Sequence, residues 1–140
     1  MKIGIVCNFL TVLFFSACKK EEDNNSCTTS VASLSGTYKV VAATYTAPGL
    51  PNQDAYAMLD ACEKDDLQVL NANGSFTYQD AGTVCNPNGT YTGTWSLSGS
   101  TITLDGEVGT IQSFNCDRLV IYASVGFITG DKLTTTLEKQ

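Results

Sequence analysis

The sequence predicts an all-β domain, an antiparallel eight-stranded up-and-down barrel with at most one short helix. Three observations carry this. Short runs of alternating apolar and polar residues recur along most of the chain and stop at Gly, Pro, Asn or Asp. One stop, Asn73-Gly74, is a strong hairpin signal, because both residues accept the positive φ of a type I′ turn. No segment reads as a helix long enough to cross between parallel strands.

The elements follow in order. Residues 37–45 come after Gly36 and are rich in β-formers; a period of two puts Tyr38, Val40 and Ala42 on one face. Residues 48–52, with two prolines and a glycine, are a loop. Residues 53–62 are the one helix candidate, a turn or two with Ala55, Tyr56 and Leu59 on one side. Strands over 66–70 and 75–79 flank Asn73-Gly74, and 86–89 is a further loop. Residues 90–97 alternate, with Tyr91, Gly93, Trp95 and Leu97 facing one way. Strands over 101–105, 108–114, 118–123 and 131–138 complete the set. Sequential antiparallel strands in this number favour a closed barrel over a sandwich, and closure removes exposed edges.

Composition narrows the function. Of 140 residues, 16% are charged and 43% apolar, a globular balance. The net charge is −6. Lys2 lies in the leader described next and every acid follows Cys18, so the mature chain is still more acidic. An acidic chain without a basic stripe is a poor partner for nucleic acid or for anionic lipid headgroups. There is no histidine. That excludes Ser-His-Asp and Cys-His catalysis and removes the usual zinc ligand.

Lys2 and the apolar run 3–15 read as a secretory leader, shorter than the roughly 20 residues that span a bilayer. The run ends in Phe15-Ser16-Ala17-Cys18. This resembles a lipobox, with Phe15 where Leu is usual; the Cys18 thiol would take a diacylglyceryl group and become the new N-terminus. The expected organisation is a signal peptide over 1–17, a lipidated polar tether over 18–29 and a barrel over 30–140. Lys19-Lys20-Glu21-Glu22-Asp23, directly after the cysteine, resembles the surface-export signal of Bacteroidetes-type lipoproteins. The expected location is the outer membrane, lipid-anchored and exposed on the cell surface.

Once Cys7 leaves with the leader and Cys18 is lipidated, Cys27, Cys62, Cys85 and Cys116 remain. An even set in an oxidising compartment reads as two disulfides. Three connectivities exist. Cys62–Cys85 is favoured because both flank the Asn73-Gly74 hairpin, leaving Cys27–Cys116. A metal site is disfavoured: no C-x-x-C pair occurs and no histidine assists.

A family resemblance rests on several pieces: Ser35-Gly36-Thr37-Tyr38-Lys39-Val40, then Asp60-Ala61-Cys62-Glu63-Lys64-Asp65-Asp66 leading to Asn73-Gly74-Ser75-Phe76. Cys85, Gly93-Thr94-Trp95-Ser96-Leu97 and Ile102-Thr103-Leu104 follow. Together they resemble the lipocalin-like domain of Bacteroidetes-type lipoproteins over nearly all of 30–140. The resemblance implies a calyx-like eight-stranded barrel and a Cys62–Cys85 disulfide. Lipocalins commonly open the first strand with Gly-x-Trp, the Trp plugging the barrel floor. Here the counterpart is Gly36-Thr37-Tyr38, and a buried Tyr plug needs a partner for its hydroxyl.

Tyr38, Phe76, Tyr78, Tyr91, Trp95 and Tyr122 are the candidates to line a cavity for an apolar ligand. The competing reading, and the favoured one, is that they fill an interior just wide enough for side chains. Ala42 and Gly93 at inward positions would leave space. Asp60, Glu63, Asp65 and Asp66 lack EF-hand spacing and read as a solvated strand start, with Lys64 softening their repulsion. No enzyme, cofactor or metal is expected. The predicted function is a lipid-tethered barrel holding a small hydrophobic molecule. The rival is a protein-interaction module, an inhibitor or accessory subunit, using loops around 46–58 and 123–131 on a filled barrel.

Overall fold

The computed structural model describes residues 27–140. The expected leader over 1–17, Cys18 and the tether as far as Ser26 lie outside the described residues.

The strands are β1 (Gly36–Thr46), β2 (Gln53–Asp54), β3 (Leu67–Leu70), β4 (Ser75–Gln79) and β5 (Tyr91–Ser98). Then come β6 (Thr101–Leu104), β7 (Glu107–Phe114), β8 (Arg118–Ala123) and β9 (Lys132–Lys139). From β3 onward each strand pairs antiparallel with the next, and β9 pairs back onto β1 from Tyr38↔Lys139 to Thr46↔Lys132. The sheet therefore closes into a ring of eight strands. The ninth, β2, is two residues laid against Thr44 and Tyr45, beyond the point where β3 stops covering β1. The fold is all-β, as the alternation of the sequence predicts.

Alternating strand direction sends every connection to one of two ends. Turns around 71–74, 99–100 and 115–117 gather at the closed end. The longer connections, around 47–66, 80–90 and 124–131, gather at the mouth.

The closed end is plugged by helix α1 (Val31–Leu34). Ser30 caps it: Ser33 N–H donates to Ser30 Oγ at 3.1 Å and Ser30 N–H to Ser33 Oγ at 3.0 Å. Leu34 and Tyr38 are both fully buried. The Tyr38 hydroxyl donates to the Leu34 carbonyl at 2.8 Å, so the floor ring has the polar partner its burial requires. Burial pushes its pKa up to about 12. Lys139 crosses outside the floor, donating to the Ser33 carbonyl at 3.0 Å with its ammonium 5.6 Å from the Tyr38 ring centre. Leu70, Phe76, Trp95 and Leu119 complete the packed half, and Trp95 Nε1–H donates to the Asn71 carbonyl at 2.7 Å.

Four local expectations change. The helix expected over 53–62 is only a 3-10 turn, Tyr56–Met58, because Gln53 and Asp54 pair with β1 and Leu59 turns extended. The α-helix sits at α1 instead, where Ser30 and Ser33 form a capping box of serines alone. The hairpin at Asn73-Gly74 forms, but Asn71 N–H to Ser75 O and Gly74 N–H to Asn71 O close a three-residue loop. Gly74 is its one residue with positive φ, at 85°. Finally, a β-bulge between Val40 and Ala42 shifts the pleat of β1, so Ala43 turns inward and Ala42 is exposed.

Both expected disulfides are formed. Cys27–Cys116 has its Cα atoms 5.1 Å apart and pins the start of the described chain to the closed end. Cys62–Cys85, at 5.3 Å, ties together the two longest mouth connections.

Candidate functional site

The interior is packed only to about mid-height. Toward the mouth the inward residues are shorter, and two adjoining chambers open. One, of about 170 Å³, lies against β6–β9 and is lined by Leu104, Glu107, Gly109 and Ile121 among others. The other, of about 240 Å³, lies against β1, β3 and β4, between Val40, Ala43, Tyr78 and the loop residues Leu59 and Glu63. Gln68, Leu133 and Thr135 line both. Leu133 also lines a third space of about 430 Å³ at the rim, with Tyr45, Leu50, Met58, Val125 and Phe127. These spaces meet at Leu133, which links rim and interior.

Small inward residues make this room. Gly109 lines the first chamber, and a Cβ there would stand 2.6 Å from Ile121 Cγ2, so glycine is what lets the Ile121 side chain lie over β7. Ala43 and Ala123 leave further space on β1 and β8. The Asp105 carboxylate occupies the space over Gly93, so Gly93 opens no cavity.

The six aromatic candidates divide. Tyr38, Phe76 and Trp95 belong to the packed floor. Tyr78 lines the chamber wall. Tyr91 stacks on Tyr78 with ring centres 5.5 Å apart and is half exposed toward the rim. Tyr122 is on the outer face, opposite in alternation to the inward Ile121, with Lys132 Nζ 5.0 Å from its ring centre. Chamber residues not singled out as ligand candidates in the sequence are mostly aliphatic or small, Leu104, Gly109, Leu133 and Thr135, with the amide of Gln68 beside them. Period two could have placed Leu133, Thr135 and Leu137 on one face of β9.

Three buried carboxylates hold the mouth loops. Asp66, expected in a solvated cluster, is buried and accepts from the Tyr78 hydroxyl at 2.5 Å and from Ala81 N–H at 3.1 Å. Burial and this carboxylate together push the Tyr78 pKa up. Asp65 is half-buried and accepts from Thr83 N–H at 2.8 Å. Lys64 sits 5.5 Å from the Tyr56 ring centre. Asp80 accepts from Cys85 and Gly89 N–H, organising the 81–90 connection. Asp131, 1% exposed, accepts from Gly126, Phe127 and Ile128 N–H at 2.9, 2.9 and 3.0 Å and from the Tyr45 hydroxyl at 3.2 Å. Burial alone would raise its pKa, but these donors hold it down to about 2.

An apolar chamber with a few uncommitted polar groups can hold and orient a small molecule. Among the described residues no three potential metal ligands converge. Comparison with curated proteins and with solved structures finds no match. The family model of the lipocalin-like domain matches residues 34–121. That span runs from the floor residue Leu34 to the chamber residue Ile121, and the closed barrel with a plugged floor agrees with it. The chain belongs to the lipocalin-like domain family.

Proposed function

We propose that this protein is a non-enzymatic, lipid-anchored binding module that holds a small hydrophobic molecule in the open half of its barrel. The observation that carries the reading is the contrast between the two halves: a packed floor below, and above it apolar chambers joined to the rim through Leu133. Family membership supports a ligand-binding fold without catalysis. The sequence around Cys18 supports an outer-membrane anchor displayed at the surface. With that anchor, the tether leads to the end that carries Cys27–Cys116, and the mouth opens at the opposite end.

The test is titration with the neutral fluorescent probe N-phenyl-1-naphthylamine. Saturable enhancement that is lost in Leu133→Trp supports the reading. Absence of saturable enhancement overturns it. Trp95 is a poor reporter for this purpose, because it lies in the packed floor. Mass spectrometry of the mature N-terminus tests the anchor separately.

One observation favours the protein-interaction rival. Phe127 and Met58 are 79% and 71% exposed at the rim, beside Leu50. Apolar side chains this exposed are a common mark of a docking surface. Recovery of a stoichiometric protein partner from envelope extracts by the intact chain, lost in Phe127→Ser, would favour that rival.

A further inference from the structure

The charge around the chambers selects the ligand. Glu107 lines one chamber and Glu63 the other, and neither chamber nor the rim groove is lined by Lys or Arg. The exposed acids Asp54, Asp60 and Asp105 add to the same end of the barrel. Two lysines stand at this end, and both are turned to rings outside the chambers, Lys64 to Tyr56 and Lys132 to Tyr122. The Glu107 side chain has no hydrogen bond or ion pair among the described residues; the one ion pair there is Arg118–Glu138, at the closed end. A carboxylate ligand entering this mouth would meet like charge and find no cation. A cationic head would find Glu107 and Glu63 at the chamber walls while its chain followed the apolar lining. Like charges within a few ångströms repel, and low-dielectric walls reduce the screening.

We infer that the chamber takes a single-chain apolar molecule with a positively charged head, of the aliphatic amine class, and discriminates against fatty carboxylates. This rests on the binding-module reading above. The experiment is isothermal titration of the folded, disulfide-bonded domain with decylamine, decanol and decanoate at low ionic strength, each below its micellar concentration. The expected order is decylamine at least tenfold tighter than decanoate, with decanol between. Glu107→Gln should narrow the amine-to-acid ratio at least threefold. Leu133→Trp should remove amine binding, which excludes mere adsorption to the acidic surface. Decanoate or decanol as the tightest ligand overturns the inference while leaving the binding module intact. Amine binding that survives Leu133→Trp also overturns it. No binding by any of the three removes the binding-module reading and this inference with it.

Discussion

Tyr38 donates its hydroxyl to the carbonyl of Leu34, and both residues are fully buried. This pair joins the first strand to the preceding helical turn and closes the barrel floor. Tyr38→Phe strips the buried carbonyl of its partner and should cost about 1–3 kcal/mol. Tyr38→Ala also opens a cavity and should cost about 3–5 kcal/mol. Urea denaturation of the folded domain measures both. The raised Tyr38 pKa gives a second readout. A folded pKa above the unfolded value means a contribution that is complete below pH 10 and is lost as pH rises through about 12. Tyr38→Phe should flatten that alkaline loss.

Asp131 fastens the 124–131 connection through its contacts with backbone N–H groups. Its pKa is depressed from 3.8 to about 2, so its contribution is present above about pH 4 and fades as pH falls through about 2. Asp131→Asn should raise amide exchange in the 124–131 segment at neutral pH and leave the floor residues protected. Hydrogen exchange resolved by residue makes this comparison.

The two disulfides should separate stability from binding. In the chain-entropy model, a loop spanning the 89-residue separation of Cys27 and Cys116 gives about 4.5 kcal/mol, and one spanning the 23 of Cys62 and Cys85 about 3.5 kcal/mol. Replacing either pair with serines should lower Tm. Loss of Cys62–Cys85 should also weaken probe binding, because it ties the mouth connection that carries Leu59 and Glu63 to the 80–90 connection. Loss of Cys27–Cys116, at the opposite end, should leave affinity unchanged when measured below both melting points.

Gly109→Ala should force β7 away from Ile121 or displace that side chain. Overpacking of this kind costs about 1–3 kcal/mol, and the new methyl also narrows the chamber. Thermal denaturation and probe titration on one preparation should therefore both show a loss.

The wall of the barrel was legible in the sequence because period-two alternation and turn residues repeat the same statement eight times. The floor was legible from the Gly36-Thr37-Tyr38 step, with its demand for a hydroxyl partner. What escaped was of two kinds. A bulge inserts one residue without any compositional mark, so the inward role passed from Ala42 to Ala43. The division between packed and open halves depends on height along the barrel, which alternation does not encode. The identities of the six candidate aromatic residues could not reveal that three lie at the floor, one at the chamber wall, one at the rim and one on the outer face. Asp66 read as part of a solvated strand start, because its donors, the distant Tyr78 hydroxyl and a loop N–H, leave no local mark in the sequence. Asp80 and Asp131 gave no signal, because most of their donors are loop N–H groups, which every residue but proline carries alike.

A ligand held in the upper half of the barrel must perturb the chamber lining and spare the packed floor. Methyl-resolved NMR during titration with N-phenyl-1-naphthylamine separates the two regions. Saturable shifts are expected at Leu104, Ile121, Leu133 and Leu137, which line the chamber against β6–β9, with Leu34, Leu70 and Leu119 of the floor stationary. Shifts confined to Leu50, Met58 and Val125 at the rim, or no saturable shift, would contradict binding in the chamber.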